Sequence, residues 1–457
     1  MKLGVVILAA GQGTRMRSSL PKVLHRLANR PLLRHVVDTS SELNPAQMIV
    51  VYGHGGDAVQ QAFSTHDGLT WVEQNQQLGT GHAVHQAIPA LTDVDQVLVL
   101  YGDVPLIQSA TLSSLIQAAS QTDLALLTVN LDNPTGYGRI VRDAQGTVKR
   151  IVEQKDASIE ELRISEINTG FLVATKTKLT DWLSRLDNDN AQKEYYLTDI
   201  VELAVADGVE VKVAQPSVPT EVMGVNDRCQ LAQLERYYQL KQAEELMRTG
   251  VALIDPSRFD LRGELITGQD VEIDINVIIE GRVELGDGVR IGANSVIRNS
   301  IIANEVQILE NCVIEDATIG AESIIGPFSR LRPGVRLAGK NKVGNFVEIK
   351  KSDIDTGSKI NHLSYVGDSL MGKNVNVGAG AITCNYDGAN KFQTVIGDNV
   401  FVGSDSQLIA PVKIDAGATI GAGSTITSDA PADTLTLSRS KQFSVKGWKR
   451  PVKKIKT

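Results

Sequence analysis

The 457-residue sequence contains few cysteines and few aromatic residues, and it lacks any long apolar run. Its three cysteines are odd in number and lie 83 and 72 residues apart, which excludes a disulfide framework and a CxxC metal site. No segment approaches the roughly 20 consecutive apolar residues that cross a bilayer. We therefore expect a soluble protein of the reducing cytoplasm, without a membrane span.

The sequence also lacks an excess of positive charge. Its 46 Lys and Arg residues against 53 Asp and Glu residues give a net charge of −7, which argues against a nucleic-acid partner. The C-terminal tail is the exception, because residues 439–456 hold eight Lys or Arg residues and no acidic residue. This tail predicts a contact with an anion or with a neighbouring chain, or else an unstructured solubilising end.

Short aliphatic runs and amphipathic stretches alternate over residues 1–226. They predict strands and helices in turn, and so an α/β, Rossmann-like domain with a mostly parallel sheet. Such sheets bind ligands beyond the carboxyl ends of their strands. A helical linker is predicted over residues 227–250. The predicted strands are Val5–Leu8, Met48–Tyr52, Val97–Leu100 and Leu124–Val129, and the predicted helices include Leu32–Leu43 and Leu112–Ala119.

Aliphatic residues recur at every sixth position in the C-terminal half. An α-helix cannot keep every sixth residue on one face, whereas a coil of three hexapeptides points each of them inward. Residues 251–457 are therefore predicted to form a parallel β-helix. Two breaks in the period, Ala338–Lys342 and Cys384–Thr394, predict protruding loops. The longest unbroken series is Ile396, Val402, Leu408, Ile414, Ile420 and Ile426.

A glycine-rich turn follows the first predicted strand, and its backbone N–H groups could cradle a phosphate. The dinucleotide fingerprint GxGxxG would require glycine where Met16 stands, and the P-loop pattern also fails. The sequence instead reads GxGTRxxxxxPK from Gly11 to Lys22. Asp103 directly follows the predicted strand Val97–Leu100, where a site residue of a parallel sheet belongs, although a capping Asp in a turn is the alternative.

His362 is the only histidine after His85, so imidazole chemistry in the C-terminal half would have to use it. It lies where the hexapeptide pattern is irregular, which is where repeat proteins place binding sites. Arg332 and Lys350 supply cations suited to a phosphate. The alternative is an ordinary surface histidine in a loop.

Further motifs follow the glycine-rich turn in a fixed order along the chain: Gln74, Leu78-Gly79-Thr80-Gly81, Tyr101-Gly102-Asp103, Gly136-Tyr137-Gly138-Arg139, Val152-Glu153, Ile167-Asn168-Thr169-Gly170 and Gly224-Val225-Asn226. With these motifs the N-terminal half resembles the sugar nucleotidyltransferases. With the β-helix behind it, the whole chain resembles the bacterial bifunctional N-acetylglucosamine-1-phosphate uridyltransferase/glucosamine-1-phosphate acetyltransferase family. This resemblance implies that the parallel β-helix is left-handed.

For the N-terminal domain, the resemblance implies Mg²⁺-dependent uridylyl transfer from UTP to N-acetylglucosamine 1-phosphate, with release of pyrophosphate. Such a reaction needs positioning and cations, which Arg15 and Lys22 can supply at the phosphates. Asp103 and Asn226 would hold Mg²⁺. Gln12 stands where the family often has Lys, and we expect activity to be retained. The nucleotide would contact Leu8, Ala9, Ala10, Gly11, Gln74, Gly79 and Thr80, and the sugar would contact Tyr101, Gly138, Glu153 and Asn168. Gly102 would also belong to this nucleotide and sugar site.

For the C-terminal domain, the resemblance implies acetyl transfer from acetyl-CoA to glucosamine 1-phosphate. His362 would take the proton of the amine and Glu348 would orient it. Arg332 and Lys350 would bind the sugar phosphate, and Tyr365 and Asn376 the sugar. Members of the family are homotrimers whose acetyltransferase site forms between chains. Acetyl-CoA would contact Ala379, Asn385, Tyr386, Ser404, Ala422 and Arg439, with the Ser404 N–H as oxyanion donor.

Two other functions remain open from the sequence. In the first, the β-helix is a structural or regulatory module of a monofunctional sugar-1-phosphate nucleotidyltransferase. In the second, the chain binds nucleotides without catalysis. His362 flanked by Arg332 and Lys350 disfavours the first, and the set of Lys22, Asp103 and Asn226 disfavours the second.

Overall fold

The structure is a computed structural model that describes residues 1–453 except Gln12 and His54. The expectation for Gln12, and the last residues of the basic tail, therefore lie outside the described part. The chain divides into two compact units, Met1–Tyr238 and Gln239–Thr457. The division falls within the 21-residue helix Arg228–Arg248, in the region predicted to be a helical linker.

The first unit is built on a nine-stranded sheet. Its central path runs in the order β9, β5, β8, β4, β1, β2, β3. Neighbouring strands on this path are parallel except at β8, which is antiparallel to β4 and β5, while β6 and β7 form a hairpin joined to β8. The strands are β1 Leu3–Ala9, β2 Gln47–Tyr52, β3 Leu69–Glu73, β4 Gln96–Tyr101, β5 Leu124–Asn130, β6 Arg139–Arg142, β7 Val148–Val152, β8 Glu166–Thr175 and β9 Lys212–Ala214.

Apolar side chains cover both faces of this sheet. Along β1, Val5 and Ile7 belong to one buried cluster, whereas Val6 and Leu8 belong to another. This alternation is what a strand buried on both sides requires, and it confirms the predicted α/β, mostly parallel architecture. The α-helices of the described chain are α1 Leu32–Ser41, α2 Gly56–Ala62, α3 Thr80–Ala87, α4 Ser109–Ala119, α5 Lys176–Ser184, α6 Ile200–Ala206 and α7 Arg228–Arg248.

The second unit is a parallel β-helix with three ladders of strands, as predicted from the period of six. Corresponding residues on successive coils are 17 or 18 positions apart, for example Ile291 with Ile308 and Ile308 with Ile325. The six aliphatic residues of the longest predicted series are each at most 3% exposed. Each ladder contributes one face of the coil, and the aliphatic stack forms the core.

The first ladder comprises Ala252–Leu253, Glu272–Ile273, Arg290–Ile291, Gln307–Ile308, Ile324–Ile325, Lys342–Asn345, Lys359–His362, Asn376–Val377, Phe401–Val402, Thr419–Ile420 and Leu435–Thr436. The long strands Phe259–Thr267 and Val277–Leu285 start both other ladders. The second continues with Val296–Arg298, Val313–Glu315, Arg330–Leu331, Glu348–Lys350, Tyr365–Gly367, Ile382–Cys384, Gln407–Ile409 and Thr425–Ile426. The third continues with Ile301–Ile302, Ala317–Ile319, Val335–Leu337, Ser352–Ile354, Ser369–Met371, Thr394–Ile396 and Val412–Ile414.

One of the two predicted loops exists and the other does not. Val377 pairs with Val402, an offset of 25 residues, so the segment Cys384–Thr394 adds an extension to its coil, as predicted. The prediction for Ala338–Lys342 is wrong, because Val343 pairs with Ile325 at the ordinary offset of 18. There Asn341 is fully buried and donates from Nδ2 to the Asp355 carbonyl at 2.7 Å. The sixth-residue series in fact continues through this segment from Leu337 to Val343 and Ile349, and the buried Asn341 lies between two of its members.

The basic tail contains no helix or strand in residues 437–453. None of the helices within the described residues is long and apolar enough to cross a membrane. All three cysteines are free thiols, with Cys229 exposed, Cys384 half-buried and Cys312 buried.

Candidate active sites

A cavity of about 600 Å³ lies at the carboxyl edge of the first sheet. The strands β1 and β4 are adjacent and parallel, with Leu8 opposite Tyr101, so the segments that follow them meet there. The glycine-rich turn closes over Lys22, because a Cβ atom at Gly13 would lie 2.7 Å from the Lys22 Cβ. The predicted residues that line the cavity are Leu8, Ala9, Ala10, Gly11, Lys22, Gln74, Gly79, Thr80, Tyr101, Asp103 and Asn226.

Cations and oxygen ligands converge on one side of this cavity. Lys22 Nζ is ion-paired with Asp103 Oδ2 and lies 3.4 Å from Asn226 Oδ1. Arg15 Nη2 donates to the same Asn226 oxygen at 2.9 Å. The structure thus brings together all four residues predicted for the phosphates and the metal, although they are separated by up to 211 positions in the chain.

The backbone holds these oxygens in place. The Val225 N–H donates to the Asp103 carbonyl at 2.9 Å, and Gln230 Oε1 accepts from the Asn226 N–H at 2.7 Å. Two side-chain oxygens that face one ammonium group from different segments also suit a small hard cation, which takes few protein oxygens. No cluster of three or more His, Cys, Asp or Glu side chains that could hold a metal occurs in the described chain. The fit therefore depends on Asp103 and Asn226, with phosphates and water for the remaining positions.

The base-binding side of the cavity is formed by the start of α3 and the end of β3. The Gln74 side chain is 4% exposed and its Nε2 donates to the Gly79 carbonyl at 3.0 Å. Thr80 Oγ1 accepts from the Leu197 N–H at 3.1 Å. Gln77, which was not predicted from the sequence, donates from Nε2 to the Ala10 carbonyl at 2.8 Å and joins the first loop to this side of the cavity. Its only sequence signal was its place between two predicted contacts.

The predicted sugar ligands form a second group. The Asn168 N–H donates to the Gly138 carbonyl at 2.9 Å, and the Glu153 carboxylate would lie 3.4 Å from a Cβ at Gly138. Burial raises the pKa of Glu153, although a hydrogen bond from Thr198 at 3.2 Å opposes the shift. Burial likewise raises the pKa of Tyr101.

Tyr101 is fixed between the base and sugar sides of the cavity. Its ring stacks on Phe171 with centroids 6.2 Å apart. Gly170 adopts φ +87°, and a Cβ there would come within 2.4 Å of the Tyr101 ring. Glycine is therefore required at this turn. Gly102 was also predicted to be a site residue. Its N–H donates to the Leu8 carbonyl at 2.9 Å, so it joins the ends of β1 and β4 and does not line the cavity.

A second group of predicted residues forms a column along one corner of the β-helix. The Gly380 N–H donates to the His362 carbonyl, the Asp405 N–H to that of Ala379 and the Gly423 N–H to that of Ser404, at 2.8–3.2 Å. These bonds place His362, Ala379, Ser404 and Ala422 on consecutive coils at equivalent positions. A Cβ at Gly378 would lie 2.5 Å from the Ser404 nitrogen, so this corner needs glycine.

A cationic group lies on the neighbouring face. Arg332 Nη1 donates to Glu348 Oε1 at 2.8 Å. Lys391 and, less strongly, Arg332 lower the pKa of Lys350. Lys391 was not predicted as a site residue. Its position in the predicted extension Cys384–Thr394 was the sequence feature that could have indicated it. Three cations are thus gathered on this face, which suits a phosphate.

His362 is exposed, and its imidazole forms no hydrogen bond within the described chain. Glu348, predicted to orient it, is instead paired with Arg332 within one chain. Tyr365 lies directly opposite Glu348 on the next coil, and Asn376 opposite Lys359.

The other predicted acetyl-CoA ligands are Asn385, Tyr386 and Arg439. Asn385 Nδ2 donates to Asp368 Oδ2 at 2.5 Å, and Tyr386 is exposed in the extension. Arg439 reaches the corner column, because its Nη2 would lie 3.7 Å from a Cβ at Gly421.

Comparison with known proteins agrees with both halves of the chain. Residues 5–194 match the family model described as MobA-like NTP transferase domain. Residues 266–299 and 393–428 match the bacterial transferase hexapeptide (six repeats) model. Among solved structures, UDP-glucose pyrophosphorylase complexed with UDP-glucose is similar over 53% of this chain and 100% of its own, with 17% identity and a TM-score of 0.44.

Curated relatives match over nearly the full length. The bifunctional protein GlmU of Azoarcus sp. (strain BH72) is 59% identical over 449 residues, which cover 98% of this chain and 99% of the relative. The protein of the same name from Cupriavidus pinatubonensis (strain JMP 134 / LMG 1197) is 57% identical and covers 99% and 100%. The chain therefore belongs to the GlmU family, and it is a bifunctional enzyme of UDP-N-acetylglucosamine synthesis that combines acetyl transfer to glucosamine 1-phosphate with uridylyl transfer to N-acetylglucosamine 1-phosphate.

Proposed function

We propose that uridylyl transfer takes place in the cavity at the carboxyl edge of the first sheet. The observation that carries this placement is the convergence of Lys22, Asp103 and Asn226, with Arg15 on the same amide oxygen. A phosphate oxygen of the sugar attacks the α-phosphorus of UTP and pyrophosphate leaves. Lys22 and Arg15 bind the phosphates and stabilise the charge that gathers on their oxygens.

Asp103 and Asn226 are the residues that would hold Mg²⁺ in this cavity. Their oxygens face one ammonium group in the structure, so the same pair suits a divalent cation when nucleotide draws Lys22 to its phosphates. Bound Mg²⁺ would neutralise charge on the phosphates. Gly138, Glu153, Asn168 and Tyr101 position the sugar, while the base lies against Gln74, Gly79 and the strand end that includes Leu8.

We propose that acetyl transfer takes place along the corner column of the β-helix. His362 accepts the proton of the glucosamine amine as nitrogen attacks the thioester carbonyl, and CoA thiolate leaves. The support is that His362 carries a free imidazole on the same corner as Ala379, Ser404 and Ala422, with Arg439 close to that corner. The other residues proposed to bind acetyl-CoA are Asn385 and Tyr386, which lie in the extension.

The groups around His362 fit this chemistry. Arg332, Lys350 and Lys391 bind the sugar phosphate, with Tyr365 and Asn376 beside the sugar. The Ser404 backbone N–H donates to no group within the described chain, so it is available to the oxyanion that forms on the thioester. Glu348 holds Arg332, and its predicted role in orienting His362 stays part of the proposal.

The proposal includes a homotrimer. Phe328, Phe346 and Leu363 adopt φ values of 49–56° on successive coils and are 49%, 58% and 65% exposed. The two phenyl rings stack at 5.3 Å, so the three side chains form a continuous apolar stripe. A stripe of this kind on a β-helix supports burial against further copies of the chain.

We also propose functional boundaries and a compartment. Residues 1–226 carry uridylyl transfer, residues 227–250 connect, and residues 251–457 carry acetyl transfer. Three free thiols, including the exposed Cys229, support a reducing cytoplasm.

Release of CoA thiol tests the acetyl-transfer proposal directly. Wild type, His362→Ala and the exposed-histidine control His85→Ala are given acetyl-CoA and glucosamine 1-phosphate without UTP. We expect thiol release from wild type and from His85→Ala, and a loss of at least 100-fold in His362→Ala. Wild type that releases no thiol would make the β-helix a scaffold, and unchanged release from His362→Ala would remove the histidine from the proposed chemistry.

A further inference from the structure

The side-chain amide of Gln74 is held in a single orientation. Its Nε2 donates to the Gly79 carbonyl and to His82 Nδ1, each at 3.0 Å. An amide nitrogen carries two hydrogens, so both are used. The amide oxygen accepts no hydrogen bond from any residue the structure describes, and the side chain lines the nucleotide cavity. Gln74 therefore offers the cavity a hydrogen-bond acceptor and no donor.

His82 completes this arrangement through its protonation state. A carbonyl oxygen only accepts, so the Gly79 carbonyl requires the nitrogen of Gln74 on its side. The second hydrogen of that nitrogen then points at His82 Nδ1, which must be unprotonated to accept it. The ring proton is then on Nε2, which lies 3.1 Å from Gln86 Nε2, so the Gln86 side chain must turn its amide oxygen to the ring to accept that proton. Burial and the neighbouring His85 lower the pKa of His82, which favours the neutral ring.

The orientation matters because uracil and cytosine differ in the group that a fixed acceptor would meet. Uracil presents an N3–H donor, whereas cytosine presents a lone pair at N3 and an amino group beside it. A fixed amide oxygen accepts a hydrogen bond from the N3–H of uracil. With cytosine it faces the N3 lone pair, which is also an acceptor. A buried site built for one hydrogen-bond pattern rejects the other because its polar group loses its partner.

We propose that His82 is a positioning residue for nucleotide choice: it fixes the Gln74 amide with its oxygen towards the base and so favours UTP over CTP. This inference rests on the proposed binding of UTP in the first cavity. His82 does not line that cavity, and it acts through Gln74. Removing its acceptor would leave one buried amide hydrogen without a partner and free the amide to turn.

The test measures kcat/KM for UTP and for CTP with N-acetylglucosamine 1-phosphate in four proteins. These are wild type, His82→Leu, His82→Asn and His85→Leu. We expect the UTP/CTP ratio to fall about tenfold in His82→Leu, the equivalent of one hydrogen bond. It should stay within about twofold of wild type in His82→Asn, whose Oδ1 replaces Nδ1 as acceptor, and in His85→Leu, whose side chain is exposed.

Both substrates are measured on the same preparation, so a loss of folded enzyme does not change the ratio. An unchanged ratio in His82→Leu, or an equal fall in His82→Leu and His82→Asn, would overturn the inference. A Gln74→Ala background should abolish any further effect of His82→Leu, and a persisting effect would also overturn it. Wild type that releases no pyrophosphate with UTP would instead overturn the proposed function, and the inference with it.

Discussion

Replacement of Asp103 by asparagine removes one charge from the first site and keeps the shape of the side chain. Asp103 is ion-paired with Lys22, and the two side chains are only 14% and 15% exposed. Asparagine still offers Lys22 a neutral oxygen, and Asn226 Oδ1 remains 3.4 Å away. This ion pair is less accessible to solvent than a surface pair, but it borders a cavity and is not fully buried. We therefore expect the free energy of unfolding to fall by about 1–3 kcal/mol, between the values for a surface pair and a buried one.

The effect on catalysis should be larger than the effect on stability. Loss of one preorganised group at a site where charge develops costs about 10²–10³ in rate, or about 2.7–4 kcal/mol. Pyrophosphate release by Asp103→Asn should therefore fall at least 100-fold. Thiol release from acetyl-CoA should stay within about twofold of wild type, because the proposed acetyl-transfer residues lie on the β-helix.

Both activities are measured on one preparation, by pyrophosphate release and by free thiol. Asp93→Asn is the matched control, since Asp93 is paired with Lys2 at an exposed position away from the cavity. It should leave both activities unchanged. Equal loss of both activities in Asp103→Asn would refute the two-site arrangement, and retained pyrophosphate release would refute the role given to Asp103.

Three further predictions concern stability, pH and assembly. Gly170→Ala should lower the free energy of unfolding by about 2–5 kcal/mol in urea titrations, since positive φ and the close approach to Tyr101 both oppose a Cβ; a loss below 1 kcal/mol would contradict this. Burial lowers the pKa of His35, so as pH falls the unfolded chain takes up a proton on this histidine before the folded chain does. The free energy of unfolding should therefore decrease below about pH 6.5, by at most about 1.4 kcal/mol per pH unit. His35→Gln should reduce that slope, and an unchanged slope would exclude His35 as its source. Phe328→Ser with Phe346→Ser should dissociate the trimer in sedimentation experiments and reduce thiol release at least tenfold while pyrophosphate release persists; an intact trimer would exclude the stripe as the interface.

The architecture of both units could be predicted because apolar patterning is local. Alternation of aliphatic runs along β1 and its neighbours follows from burial on both faces. The period of six follows from the geometry of the coil, in which every sixth residue faces the axis. The reversal of β8 was not predicted, because strand direction depends on pairing with distant segments and leaves no periodic signal.

The candidate sites were predicted unevenly. The motifs that carry the family resemblance located Lys22, Asp103 and Asn226, and the structure brings them together. Sequence patterns did not indicate His82, which contacts Gln74, or Lys391, which lies beside Lys350. Their contacts depend on side-chain orientation across a helix start or an extension, whereas sequence patterns report only which residues lie near each other along the chain.

Asn341 shows that a polar residue inside the coil does not by itself indicate an insertion. An insertion changes the offset between paired residues, as the extension before Val402 does with an offset of 25. A polar residue at an inward position between two members of the sixth-residue series leaves the offset at 18 if its hydrogen bonds are met inside the coil. Asn341 meets them by donating to the Asp355 carbonyl and accepting from the Gly339 N–H. Backbone pairing thus sets the length of each coil, whereas a polar side chain is accepted inside the coil where its hydrogen bonds are made locally. The position of the next aliphatic residue, six after Leu337, therefore distinguishes a buried polar residue from an insertion.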